Sequence, residues 1–143
     1  ALLDAMKRVP GEWTWELIGA LDEALVREFR ARLGGFASRV RLRGVCSRDE
    51  VFDAYERADV FALLSEHESY GMVFAEAVAR GVPVVASAVG ALPRIVGAGG
   101  YVGGDAAENI ARAFEERPTR VADFPRWADT AARFTAALER WFS

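Results

Sequence analysis

One cysteine and one histidine stand in 143 residues, and both scarcities remove whole classes of chemistry. Cys46 has no partner for an internal disulfide, so a buried core must hold the fold, and a reducing, cytosolic setting is expected. His67 has no second imidazole with which to share a metal, and no Ser/His/Asp or Cys/His set can be assembled around it. It is read, with its neighbour Glu66, as structural or solvated. No Asp-x-Asp pair stands at a strand end, which makes metal-free binding the simpler expectation. No apolar run approaches the roughly 20 residues needed to span a bilayer, and the N-terminus lacks a basic region followed by an apolar segment and a cleavage site. Positive charge is in deficit, with 18 Lys and Arg against 21 Asp and Glu. At a net charge of -3 no basic field exists for a nucleic-acid backbone, and any phosphate must be held by local geometry.

What is present is the material of one ordinary soluble domain: 52% hydrophobic residues, 27% charged residues and four tryptophans, with no repeat, linker or low-complexity tract. The apolar positions 2, 3, 6 and 9 predict a helix over 1–9, stopped by Pro10-Gly11. Trp13 to Ile18 reads as a strand, and Asp22 as the cap of a helix running to Leu33. Val40 to Arg43 alternates as a strand near a sheet edge would, closed by Gly44. Ser47 with Glu50 forms a capping box for a helix to about Arg57. Val60-Phe-Ala-Leu-Leu64 and Val82-Pro-Val-Val-Ala86 are unbroken apolar runs, as strands buried on both faces of a parallel sheet are. A helix over about 71–80 separates them. A short helix at Leu92–Val96, a weak strand at Tyr101-Val102 and a helix over 106–116 follow. A terminal helix at about 127–142 carries a narrow apolar stripe at 127, 131, 134, 138 and 141. This alternation predicts an α/β fold, a Rossmann-like doubly wound parallel sheet with right-handed crossovers.

The stretch Glu68-Ser-Tyr-Gly-Met-Val-Phe-Ala-Glu76 concentrates the candidate chemistry. It leaves a buried strand at its carboxyl end and enters a helix, which is where open parallel sheets bind ligands. The helix start offers bare N–H groups to an anion, from Met72 and Val73, and Gly71 either forms a tight turn or lets a ligand approach the backbone. Glu68 and Glu76 could accept hydrogen bonds from hydroxyls of the same ligand, and a phosphate together with hydroxyls suggests a nucleotide sugar. Either glutamate alone is ordinary, since a helical Glu is usually solvated and an acidic residue before a helix is favoured by its dipole. The pair around Gly71 is what carries weight. At about 100° per residue Glu76 points away from the apolar side marked by Phe74 and Val78. Gly44 and Val45, after the second strand, either meet a nucleobase or simply form a strand–helix turn. Gly90 would let a ligand approach closely, and Arg94 reads as a surface arginine.

Taken together, Glu68-x7-Glu76, Gly71, Ala77 and Gly81-Val-Pro-Val-Val-Ala-Ser87 resemble the donor-binding half of GT-B glycosyltransferases of the retaining family 4 group. The likeness extends over nearly the whole chain, including Trp15 to Gly19, Arg39 to Gly44 and Pro125 to Thr130. It implies a transferase of the hexosyl type, with Glu76 on ribose hydroxyls, and Glu68, Gly71, Met72 and Val73 on the donor sugar or diphosphate. It further implies Gly44 and Val45 near the base, Ser65 and Leu92 close by, no cofactor and no metal. By the same likeness the acceptor-binding N-terminal domain, with any lipid, glycan or peripheral-membrane contact, lies in a longer protein. So does the first strand, whose following loop grips the diphosphate. Residues 1–143 are then a single nucleotide-sugar-binding domain, incomplete at its N-terminus and inactive alone, with no catalytic residue assignable. In the strand order 3-2-1-4-5-6 the absent strand is central, so a gap is expected in the sheet. Two rivals stand: a nucleotide-sugar epimerase of the same architecture, and a non-catalytic binding or interaction module that uses the Trp127 to Trp141 stripe as a partner surface.

Overall fold

The computed structural model describes residues 1–118 and Thr135. The predicted terminal helix, its stripe and the Pro125 to Thr130 segment lie outside the described residues, apart from Thr135, which is helical. Helix and strand alternate as α1 (Leu2–Met6), β1 (Trp15–Ile18), α2 (Glu23–Leu33), β2 (Val40–Gly44), α3 (Arg48–Arg57) and β3 (Phe61–Leu63). They continue as α4 (Met72–Ala79), β4 (Val84–Ala86), α5 (Leu92–Val96), β5 (Gly100–Val102) and α6 (Ala106–Glu116).

Every pairing among the described strands is parallel. Val84 of β4 lies between Phe61 of β3 and Gly100 of β5, and Ala86 between Leu63 and Val102. Trp15 of β1 faces Val40 of β2. No ladder joins β1-β2 to β3-β4-β5. That division is what the order 3-2-1-4-5-6 leaves when its strand 1 is taken out, as the family resemblance predicts.

Successive strand residues point to opposite faces, and the core is split accordingly. Val84 and Ala86 join Tyr55, Phe74, Ala77, Val78, Leu92 and Val96 on the α3–α4–α5 face. Val85 joins Met6, Val9, Trp13, Ala107, Ile110 and Ala113 on the α1–α6 face. All three β4 residues are buried, which explains why Val82 to Ala86 carries no polar alternation.

Four expectations need correction: β1 begins at Trp15 rather than Trp13, β4 begins at Val84 rather than Val82, and β3 and α1 differ as follows. β3 is shorter than Val60 to Leu64 and only half-buried, with Leu63 38% exposed, because it pairs on one side only. α1 ends at Met6 rather than Val9. Pro10 disfavours helical backbone at the residue before it, and the last turn tightens through Arg8 N–H to Ala5 and Val9 N–H to Met6 carbonyls. Caps behave as read: the Asp22 carboxylate accepts from the Ala24 and Leu25 amides, and Ser47 and Glu50 satisfy each other's backbone amides. The Ser47 amide holds the Glu50 carboxyl below its ordinary range.

Candidate functional site

β3 ends at Leu63 and the chain crosses a loop to Gly71, which caps α4 in the left-handed region at φ 76 and ψ 40. Glycine is required here twice over. The backbone conformation disfavours other residues, and a Cβ would come within 2.7 Å of Leu92 Cδ2 and 3.2 Å of Ile95 Cδ1. The turn is therefore wedged onto the core from below by α5.

The Gly71 amide donates to Glu68 Oε1 at 2.9 Å. This corrects the expectation that Gly71 presents its amide to a ligand, since the Glu68 carboxylate already holds it. Met72 and Val73 follow in the first turn of α4. Among the described residues their amides donate to no acceptor, and their side chains are exposed. Two bare N–H groups at the start of an eight-residue helix form a local positive site in a chain without a basic field.

Glu76 lies one turn further along α4, half-buried, while Phe74, Ala77 and Val78 on the other side are almost wholly buried. Its outward direction is as read from the sequence. Among the described residues its carboxylate makes no hydrogen bond; only its carbonyl is used, by Arg80.

One contributor escaped the sequence reading. The buried Tyr55 hydroxyl donates to the Val73 carbonyl at 3.1 Å, tying α3 to the first turn of α4. Tyr55 stands edge-on to Phe61, and Phe61 edge-on to Phe74, so an aromatic chain fixes this bond. Burial, with the Glu76 charge second, pushes the Tyr55 hydroxyl up to about 12, so it remains a neutral donor. Nothing local links positions 55 and 73; only the parallel order of β3 and its helices brings them together.

At the end of β2, Gly44 turns at φ 71 and Val45 is 82% exposed, leaving an apolar side chain free at a strand's carboxyl end. Ser65 is half-buried in the loop after β3, and Arg94 is exposed on α5. Leu92 is corrected: at 0% exposure its side chain packs beneath Gly71 and cannot touch a ligand. Glu66 and His67 are exposed, and no group of metal-ligating side chains is found among the described residues.

The fold has counterparts in solved structures. The chain superposes on sucrose-phosphate synthase from Thermosynechococcus elongatus with a TM-score of 0.74 at 25% identity, covering 99% of this chain and 41% of that one. It superposes on Anabaena Alr3699/HepE in complex with UDP and glucose with a TM-score of 0.69 at 26% identity, covering 80% and 33%. The fold class is thus that of the Rossmann-like half of GT-B glycosyltransferases. Glycosyl transferases group 1 matches residues 1–117, and the chain belongs to that family. Among curated relatives, the D-inositol 3-phosphate glycosyltransferase of Mycolicibacterium smegmatis is 36% identical over 110 residues, covering 72% of this chain and 25% of that protein. Its Streptomyces griseus counterpart is 38% identical over 120 residues, covering 82% and 24%. The chain spans about a quarter of the length of these relatives. No helix among the described residues is long and apolar enough to cross a membrane.

Proposed function

We propose that this chain is the donor-binding part of a retaining, metal-independent glycosyltransferase that moves a sugar from a nucleotide-diphosphate sugar to an acceptor. The observation that carries the proposal is the start of α4: Glu68 and Glu76 bracket the bare amides of Met72 and Val73 at the carboxyl end of β3. The amides and the helix dipole meet the diphosphate, and Glu76 accepts from ribose hydroxyls. Glu68 uses its second carboxylate oxygen on the donor sugar while the first holds Gly71. Gly44 and the exposed Val45 receive the base, with Ser65 at the edge of the same cleft. The complex of Alr3699/HepE with UDP and glucose supports this class of ligand.

When the glycosidic bond to the diphosphate breaks, charge builds on the departing phosphate oxygens. Fixed N–H dipoles aimed at that position stabilise it without reorganising. No cofactor enters this scheme. The acceptor-binding domain, with the residues facing the acceptor, and the strand between β1 and β3 belong to the rest of a longer protein in this reading, and a cytoplasmic site of action goes with it. Epimerisation is distinguished by products formed without any acceptor, and a binding-only module by the absence of transfer in the complete protein.

Calorimetric titration of the complete protein with UDP-, GDP- and ADP-glucose tests the proposal. One of them should bind, and Glu76→Ala should weaken it about ten- to a hundredfold, the loss of a charge-assisted hydrogen bond worth about 1.5 to 3 kcal/mol. Wild-type affinity in that variant would remove Glu76 from the site.

A further inference from the structure

Gly90 stands in the loop between β4 and α5, where the sequence suggested space for a ligand. The space is already occupied. A Cβ built on Gly90 would overlap the backbone carbonyl oxygen of Glu68, and Gly90 holds a left-handed φ of 53°. The contact is with main chain, which cannot swing aside as the tip of a flexible side chain would. Behind it the loop is pinned, because the Leu92 amide donates to the Val89 carbonyl and Val89 packs on the core. Any side chain at position 90 therefore pushes on the Glu68 segment. Three residues further along, that segment is fixed by the bond from the Gly71 amide to Glu68 Oε1.

We infer that Gly90 is a positioning residue for Glu68: its missing side chain lets the loop after β3 seat low enough for Glu68 to reach Gly71 and aim its other oxygen at the donor sugar. The inference rests on the proposed sugar-binding role of Glu68. Gly90 touches no ligand itself. Its effect should fall on the sugar and spare the nucleotide, because Glu76, Met72 and Val73 lie on α4, whose own anchors are Tyr55 and the core.

The test compares Gly90→Ala with Gly97→Ala in the complete protein. Gly97 also has positive φ, at 49°, but its Cβ would meet nothing within 4 Å, so that variant carries backbone strain without displacing a neighbour. Amide exchange of Gly71 is measured first. Gly90→Ala should accelerate it about tenfold or more, and Gly97→Ala should leave it unchanged. Equal exchange in the two variants overturns the inference. Titration with UDP, GDP and ADP and their glucose esters follows. Gly90→Ala should lose at least about tenfold for the ester that binds and less than about twofold for its free diphosphate; adding Glu68→Gln should cost little more. If Glu68→Gln alone leaves ester affinity intact, the sugar role of Glu68 fails, and the exchange result still decides whether Gly90 positions it. Should Gly90→Ala not fold, native-state exchange of the unaltered protein decides. The Gly71 and Leu92 amides should share one opening free energy, and separate openings would overturn the interlock.

Discussion

Tyr55 shows how a residue outside the cleft controls it. Its hydroxyl donates to the Val73 carbonyl inside a half-closed aromatic cluster, so Tyr55→Phe removes the hydrogen bond between α3 and α4 and should cost about 1 kcal/mol of stability. The burial of this hydroxyl has a pH signature. Folded Tyr55 keeps its proton up to about 12, whereas an unfolded tyrosine releases it near pH 10. Between those values the folded state binds more protons, so its contribution is full below about pH 10 and is lost as pH rises through about 12. The wild-type minus Tyr55→Phe difference in urea midpoint, followed from pH 8 to 12, should shrink across that interval; a constant difference would contradict it. The sequence made Glu76 legible because direction on a helix follows from 100° per residue. It did not make Tyr55 legible, since its bond crosses 18 residues. Gly71 was half legible: its turn could be read, but not that Glu68 takes its amide.

At the scale of elements, boundaries were readable where local chemistry sets them. The Ser47–Glu50 box closes two amides within four residues, and α3 begins where it says. Ser47→Ala should cost about 1 kcal/mol and Ser47→Asp should recover most of it, as measured by urea unfolding. Equal stability of all three proteins would mean that α3 is held by packing alone. Boundaries set by neighbours were not readable. β3 looks like a fully buried strand in sequence because Phe61, Ala62 and Leu63 are all apolar, yet its burial depends on a pairing partner that these residues do not provide. β4, with neighbours on both sides, is as buried as its composition promises.

For the whole molecule, the break between β1 and β3 is the feature with the largest consequence. Both strands carry main-chain donors and acceptors on an edge that no described strand pairs, and unpaired edges recruit other chains. Yet β1 and β3 share one core: Trp15 and Val40 from one sheet pack with Ala62 and Val85 from the other. The two sheets are thus held in place by side chains while the backbone between them lacks a ladder. One parallel strand inserted there would complete the order 3-2-1-4-5-6 and satisfy both edges together. Alternation of strand and helix made the sheet readable, but its gap could be foreseen only from the family's strand order, because nothing within these residues marks an absent neighbour. Residues 1–143 alone should accordingly self-associate, and the same chain extended upstream to include the proposed strand should be monomeric with a higher unfolding midpoint. Light scattering on a sizing column, paired with thermal melts, checks both. A monomer that melts at the same temperature with and without the extension would show that the edges need no strand, and the assignment of β1 and β3 as neighbours of a missing one would fall.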